Sequence, residues 1–211
     1  MIEQKSDEWH RQRLGKFTAS KFADLLGAGR KKDEAWSLTA KTYIREVLAE
    51  ILTGQWVAFS NTAMEWGIEH EDEAIKFYED LVGYKVERNG FIELNPFVGG
   101  SPDGLINDDG IIEVKCPYTS AKHIETLASR KVPGEYVAQI QGNLLVTDRK
   151  WCDFISYDPR MIKDEHKIVV IRVERDPLFI EELKERLIDA VTYLEKMQLD
   201  IDGGIENGTK D

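Results

Sequence analysis

The sequence predicts an α/β fold in which a mixed central sheet of about five strands is flanked by helices. Three observations predict it: helical stretches that end at glycines, short apolar runs of strand character, and a proline that opens a long amphipathic segment. At 211 residues the chain is long enough for one domain with a sizeable core. We expect a single domain over 1–199 and a disordered, acidic tail at 200–211.

The N-terminal half is predicted to be mainly helical. Ser6 suits the N-cap of a short first helix, because Asp7 and Glu8 would place negative charge in its first turn. Apolar residues at helical spacing, followed by a glycine in each case, define three more helices. These are predicted at 19–26, 37–53 and 61–82, with a basic loop at 27–33.

Strands dominate the middle of the chain, and helices return after them. Short apolar runs predict strands at 84–94, 98–106, 111–116, 151–157 and 167–175. Between the third and fourth strands, helices are predicted at 120–129 and 134–147. Pro177, which suits a first-turn position, opens a long amphipathic helix that we expect to end near Gln198.

The most informative local pattern is Ser101-Pro102-Asp103-Gly104 followed by Glu113-Val114-Lys115. Between the two, Asn107–Gly110 predicts a tight turn, because an Asp-Gly pair supplies the positive φ that a short hairpin needs. Alternation along the second strand points Glu113 and Lys115 to one face. The hairpin then returns Asp103 beside Glu113, so two carboxylates and a lysine converge at a sheet edge.

Two oxygen ligands beside one cation suit a Mg²⁺-dependent phosphodiester hydrolase. The carboxylates would hold the metal, and the lysine would steer or activate the attacking water. A bare Glu-x-Lys is more often a solvated strand face with an ion pair, and the triplet alone leaves that interpretation open. The Pro-Asp pair at hairpin distance favours a nuclease.

The same residues carry a resemblance to a known family. Pro102-Asp103 followed by Glu113-Val114-Lys115-Cys116-Pro117 resembles the core of the PD-(D/E)xK nucleases. More narrowly, it resembles the phage lambda exonuclease or YqaJ-like branch, the alkaline exonucleases of viral recombination. Further segments resemble that branch in the same order: Arg13-Leu14-Gly15, Thr18-Ala19-Ser20, Trp66-Gly67 with Glu71, the run 136–141, and Tyr157-Asp158-Pro159-Arg160-Met161. The resemblance implies a PD-(D/E)xK restriction-endonuclease-like core and a single nuclease domain over 1–199.

The resemblance implies a metal site and its ligands. Asp103 would be shared between two Mg²⁺ ions, for which Mn²⁺ would substitute, and Glu113 and the carbonyl of Val114 would be further ligands. Glu71 would be another. It stands in an acidic run whose periodicity alone cannot select it, because such a run is usually a solvated helix face.

A pocket for a 5′-terminal phosphate is also implied. Arg13, Ser20 and Ser101 would bind the phosphate, with Thr18 beside them, because a guanidinium fork and hydroxyl donors suit a dianion. Met64 falls where the family inserts an apolar wedge between terminal base pairs, although a helical methionine is more often part of a core.

The chain departs from the family pattern at one position of this pocket. A second arginine, expected a few residues after Cys116-Pro117, is absent, because Ala121 occupies its position. The nearby cations that could replace it are Lys122 and His123.

Together these implications predict a Mg²⁺-dependent 5′→3′ exonuclease. It would resect linear double-stranded DNA to mononucleotides and leave a 3′ single-stranded overhang, with Lys115 and Gln139 positioning the attacking water. The resemblance further implies a homotrimeric ring and a single-strand annealing protein as partner in phage-type recombination. A sequence- or structure-specific endonuclease on the same core and a non-catalytic DNA-binding assembly subunit are the alternatives.

Composition sets bounds on this interpretation. The net charge of −11 is unusual for a DNA-binding protein, but the first 32 residues are basic, so DNA is expected to approach the N-terminal region. Cys116 and Cys152 are expected as reduced core residues, and two thiols are too few for a four-thiolate iron–sulfur site. Without a long apolar span or a signal-type N-terminus, we expect a cytoplasmic protein without membrane contact, in the host cytoplasm if it is phage-encoded.

Overall fold

Helices and strands alternate as expected of an α/β fold in the computed structural model, which describes residues 4, 6–27, 35–57 and 60–208. The helices are α1 (Asp7–Arg13), α2 (Ala23–Leu26), α3 (Leu38–Thr53), α4 (Thr62–Val82), α5 (Ser120–Ser129), α6 (Gly134–Thr147), α7 (Asp164–Lys167) and α8 (Pro177–Gly208). The strands are β1 (Phe17–Thr18), β2 (Ile92–Asn95), β3 (Val98–Gly100), β4 (Gly104–Ile106), β5 (Gly110–Lys115), β6 (Trp151–Tyr157) and β7 (Ile168–Glu174). Most of the predicted basic loop, at 28–33, lies outside the described residues.

The predicted mixed sheet is present with four strands, in the order β4-β5-β6-β7, and a second sheet has three, in the order β1-β3-β2. In the larger sheet β5 and β6 are parallel and the other neighbours antiparallel. The strand predicted at 98–106 is divided between the sheets at Ser101–Asp103, because Pro102 has no N–H to donate to a ladder. The strand predicted at 84–94 is reduced to β2 and a bridge between Glu87 and Leu105.

Helices cover both faces of the larger sheet. Ile111 packs on one face in a cluster with Leu144 of α6 and Leu183 of α8. Ile112 packs on the opposite face with Tyr78 of α4. Because side chains alternate along β5, Glu113 lies on the α6 face of the sheet.

The predicted caps and turns are largely present. Ser6 accepts a hydrogen bond from the N–H of Trp9 at the start of α1, and Gly54 and Gly83 end α3 and α4 with φ of 64° and 76°. In the β4–β5 turn, Asn107 rather than Gly110 takes the positive φ, at 46°. Asparagine tolerates that conformation better than other side chains do. The helix predicted at 19–26 is divided into a 3₁₀ turn at Ala19–Lys21 and α2.

The last helix ends at Gly208, beyond the expected end near Gln198. The disorder expected for the acidic tail stays a prediction. Cys116 and Cys152 are buried free thiols, as expected. Among the described helices, none is long and apolar enough to span a membrane.

Candidate active site

The β4–β5 hairpin places Asp103 against the second strand. The N–H of Asp103 donates to the carbonyl of Ile112 at 3.1 Å, and the N–H of Val114 donates to Oδ2 of Asp103 at 2.6 Å. Glu113 lies between these two contacts on β5. The predicted convergence of the two carboxylates is therefore present.

The Glu113 carboxylate is held from two elements. Its Oε1 accepts from Nζ of Lys115 at 2.5 Å and from Nε2 of Gln139 at 2.6 Å. Its Oε2 accepts from Nδ2 of Asn143 at 3.2 Å. Lys115 also donates to Oε1 of Gln139 at 3.3 Å. A buried carboxylate, a lysine and two amides thus form one network.

Gln141, two residues after Gln139, lies elsewhere. Its Nε2 donates to the carbonyl of Glu174 at 2.9 Å, and its Oε1 accepts from the N–H of Asp176 at 2.9 Å. Residues two apart on a helix do not share a face. The structure therefore brings Gln139, as expected, and not Gln141 to the carboxylates.

Burial and the neighbouring carboxylates shift the pKa values of Asp103 and Lys115 in this cluster. Burial raises the pKa of Asp103 well above its usual range, and the negative charges of Glu113 and Glu71 raise it further. Burial alone would lower the pKa of Lys115, but Glu113 and Asp103 raise it above its ordinary value, so the lysine is cationic. The raised pKa of Asp103 favours its protonated form, and Lys115 and Arg88 offset the charges of Glu113 and Glu71.

Glu71 reaches the same cluster from α4. Nη2 of Arg88 donates to Oε1 of Glu71 at 2.8 Å and lies 3.2 Å from Oδ1 of Asp72. Nη1 of the same guanidinium donates to the carbonyl of Asp103 at 3.1 Å. Arg88 therefore joins the Glu71 carboxylate to the backbone of Asp103.

The donor set fits a hard divalent cation. It offers carboxylate oxygens at Asp103, Glu113 and Glu71, and the Val114 backbone lies beside them. In the described parts of the chain, however, no three acidic, His or Cys side chains are already drawn together as a complete ligand group. Because Lys115 and Gln139 engage Glu113 and Arg88 engages Glu71, an entering cation would exchange with these partners.

One cleft of about 920 Å³ connects this cluster with the predicted phosphate pocket. Met64 is 45% exposed on its wall rather than packed in a core. Eleven of the predicted site residues line the cleft: Arg13, Thr18, Ser20, Met64, Glu71, Asp103, Glu113, Val114, Lys115, Lys122 and Gln139.

Arg13, at the end of α1, begins a row of donors in this cleft. Its guanidinium lies over the Trp9 ring, 4.0 Å from the centroid, and its Nη2 is 3.5 Å from Oγ1 of Thr18. That oxygen is 3.4 Å from Oγ of Ser20. Burial lowers the pKa of Arg13 to about 10, which leaves it charged at neutral pH. A guanidinium and two hydroxyls therefore lie together.

Ser101 joins this group through Trp9. Its Oγ accepts from Nε1 of Trp9 at 3.0 Å, so one indole contacts both Arg13 and Ser101. Ser101 is not among the described residues that line the cleft. Trp9 thus stands between this hydroxyl and the donor row.

The two cations expected to replace the absent arginine lie apart. Lys122 is exposed, lines the cleft and lies 3.8 Å from Glu135. His123 is fully buried; its Nε2 donates to the carbonyl of His166 at 2.7 Å, and its Nδ1 accepts from Oγ of Ser156 at 2.8 Å. The placement of His123 at the pocket is therefore wrong. Consecutive helical residues point about 100° apart, and His123 points into the core.

Three residues that organise the site had no role assigned to them from the sequence. Asn143 stands four residues after Gln139, and that helical spacing could have indicated it. Arg160, bidentate to Asp158, donates to the carbonyls of Pro117 and Tyr118 and so holds the segment after β5. Arg88 lies outside the named helices and strands, where no periodicity could select it.

Known proteins match the chain over most of its length. The family profile described as YqaJ-like viral recombinase domain matches residues 8–150. The crystal structure of an alkaline exonuclease, LHK-Exo, from Laribacter hongkongensis is 35% identical, with a TM-score of 0.86 over 96% of this chain and 99% of that one. A second LHK-Exo structure, in complex with dAMP, is 34% identical with a TM-score of 0.87, over the same shares of the two chains.

A phage-related exonuclease from Haemophilus somnus 129PT shares the fold, at 21% identity and a TM-score of 0.74 over 88% of this chain and 96% of that one. No curated protein sequence matches. The predicted PD-(D/E)xK-type α/β fold is confirmed by these likenesses. On the profile match and on 35% identity over nearly its full length, the chain belongs to the YqaJ-like viral recombinase family.

Proposed function

We propose that the chain is a Mg²⁺-dependent 5′→3′ exonuclease that resects linear double-stranded DNA to mononucleotides. The observation that carries the proposal is the single cleft shared by the Asp103–Glu113–Lys115–Gln139 cluster and the Arg13–Thr18–Ser20 donor row. A hydrolytic cluster beside a phosphate-binding row suits cleavage at the end of a strand. Its relatives include an alkaline exonuclease that has also been solved in complex with dAMP, which supports this substrate class.

The residues that would hold the metal are Asp103, Glu113, Glu71 and the carbonyl of Val114. Two Mg²⁺ ions, or Mn²⁺ in their place, would supply an activated water and stabilise charge on the phosphate oxygens. Lys115, which donates to Glu113 and Gln139, would orient the water by hydrogen bonding. Gln139, within hydrogen-bonding reach of both Lys115 and Glu113, orients the same water.

The product chemistry explains repeated cleavage. Water attacks the phosphorus, and the bond from that phosphorus to the 3′ oxygen of the terminal nucleotide breaks. The released mononucleotide keeps its 5′ phosphate, and the shortened strand now carries the next one. Each cleavage therefore creates the group that the Arg13 row binds, which favours 5′→3′ progress and leaves a 3′ overhang.

The remaining parts of the proposal concern organisation. We propose a single nuclease domain over 1–199, a homotrimeric ring around DNA, and a single-strand annealing protein that takes the overhang, all in the host cytoplasm. These rest on the family membership alone.

Linear duplex labelled at either the 5′ or the 3′ end tests this function. With Mg²⁺, the 5′ label should appear at once in mononucleotides, whereas the 3′ label should remain in long strands. With Ca²⁺, DNA should bind without cleavage, because the larger ion tolerates looser geometry. Closed circular duplex should survive.

Two results would reject the proposal. Cleavage of the closed circle would favour the endonuclease alternative, and Mg²⁺-independent binding without any cleavage would favour the non-catalytic subunit.

A further inference from the structure

The cleft contains an exposed apolar surface that the proposed chemistry does not use. Trp56, Val57 and Ile68 are 38%, 90% and 49% exposed, and all three line the cleft. Large apolar side chains grouped in a concave, solvent-exposed site mark a surface that binds something. We call Trp56, Val57 and Ile68 the apolar wall.

Trp56 is oriented by an aromatic partner. Its ring stacks on His10 with centroids 3.8 Å apart and planes 8° apart. Because His10 covers one face of the indole, the exposed area of Trp56 belongs to its other face and its edges. Burial and then the nearby Arg13 lower the pKa of His10, so the imidazole is neutral at neutral pH and the stacked pair carries no charge.

The stacked pair is continuous with the Arg13 row. His10 meets Trp9 edge to face at 4.9 Å, and Trp9 carries the Arg13 guanidinium on its ring at 4.0 Å. A chain of ring contacts thus runs from the predicted phosphate site to the exposed face of Trp56. Arg13 supplies positive charge at the start of this chain of rings, and Lys16 and Lys21, paired with Glu93 and Glu46, line the same cleft.

We propose that Trp56 is a stacking platform for the 5′-terminal nucleobase of the strand whose phosphate is bound at Arg13. Aromatic faces beside a cationic groove bind DNA strands without sequence preference, because every base has a flat face. A terminal base has one face without a neighbour, which matches the single open face of Trp56. The inference rests on the proposed function, since it requires a DNA end as ligand.

A terminal abasic site isolates the contribution of the base. Two duplexes, each with a 5′ phosphate, would differ only in whether the terminal nucleotide carries a base. Binding would be measured by fluorescence anisotropy with Ca²⁺, for wild type, Trp56→Ala, Trp56→Phe and the control Ile162→Ala, an exposed apolar residue that does not line the cleft. Wild type should prefer the base-bearing end by about five- to hundredfold, the range expected of aromatic stacking.

Trp56→Ala should lose that preference, Trp56→Phe should keep most of it, and Ile162→Ala should keep it. A second readout uses wild type alone: 2-aminopurine at the terminal position should lose fluorescence on binding, as it does when stacked, and at an internal position should not. An unchanged preference in a folded Trp56→Ala protein, or no quenching in wild type, would overturn the platform. Digestion of linear duplex by wild type, measured in parallel, tests the proposed function separately.

Discussion

The carboxylate cluster and the donor row lie in the same cleft but are held in different ways. Asp103 and Glu113 belong to one hairpin, whose backbone hydrogen bonds fix their separation. The donor row has no such shared element, because Arg13 lies on a short helix, Thr18 on a two-residue strand and Ser20 on a 3₁₀ turn. Each oxygen of the Glu113 carboxylate has a donor at hydrogen-bonding distance. Arg13 is placed instead by stacking on Trp9. One region is positioned by the backbone ladder and the other by side-chain packing.

This difference predicts that substitutions in the two regions will affect activity in different ways. A group fixed by the ladder has no substitute, so its removal should abolish turnover. A group placed by packing has neighbours that still contact the ligand, so its removal should weaken binding and depend on the substrate.

The largest effect is expected for Asp103→Ala, which should abolish detectable digestion with Mg²⁺ while DNA binding with Ca²⁺ is retained. If Asp103 is the proposed ligand shared between the metals, no neighbour on this rigid hairpin can replace it. Asp108→Ala, an exposed carboxylate in the turn of the same hairpin, is the matched control and should digest normally. Substantial Mg²⁺-dependent digestion by Asp103→Ala would refute the assignment of the reaction centre.

The two glutamines of α6 should separate chemistry from stability. Gln139→Ala should lower kcat by about a hundredfold or more, since the proposed role of this side chain is to orient the attacking water. Gln141→Ala should keep kcat but lower the free energy of unfolding by about 0.5–1.5 kcal/mol, because the buried Gln141 side chain loses its hydrogen bonds to the backbone of Glu174 and Asp176. Turnover and thermal denaturation of both variants decide it, and the reverse pattern would exchange their roles.

A smaller and substrate-dependent effect is expected at Arg13. Arg13→Ala should slow digestion of 5′-phosphorylated ends by about ten- to hundredfold, which corresponds to a charge-assisted contact of about 1.5–3 kcal/mol, and should change 5′-hydroxyl ends much less. Arg11→Ala, an exposed arginine of the same helix paired with Glu8, is the control. Equal losses on both substrates would mean that Arg13 serves the fold or general DNA binding.

The smallest effect on activity concerns the position of the absent arginine. Lys122→Ala should reduce the preference for 5′-phosphorylated ends by about two- to fivefold, as expected of an exposed charge. His123→Leu should leave the preference unchanged and lower the free energy of unfolding by about 1–3 kcal/mol, because Ser156 and the carbonyl of His166 lose a partner. Initial rates on both kinds of end, with melting curves, test the pair.

Local patterns in the sequence predicted the residues at the centre of the candidate site but not the residues that surround them. The Pro-Asp, turn and Glu-x-Lys signals lie within fifteen residues, so hairpin geometry alone placed Asp103 beside Glu113. Glu71 and Gln139 come from distant elements, and only the family resemblance selected them. Arg88 and the division of one predicted strand between two sheets depend on tertiary packing, which no period in the sequence records. His123 was misplaced because adjacency along a helix does not imply a shared direction.

The segment Ser101–Asp103 joins β3 of one sheet to β4 of the other. The carbonyl of Pro102 in this segment accepts a hydrogen bond from Nε2 of Gln4 at 2.8 Å. Asp103, the proposed metal ligand, lies at this junction, so its position depends on both sheets being intact. Opening of the smaller sheet alone, a sub-global unfolding event, would displace Asp103 while most of the helical content persisted. As the denaturant concentration rises, turnover should therefore decline before the far-ultraviolet circular dichroism signal does. The gap between the two midpoints would measure how far the smaller sheet unfolds independently of the rest of the fold.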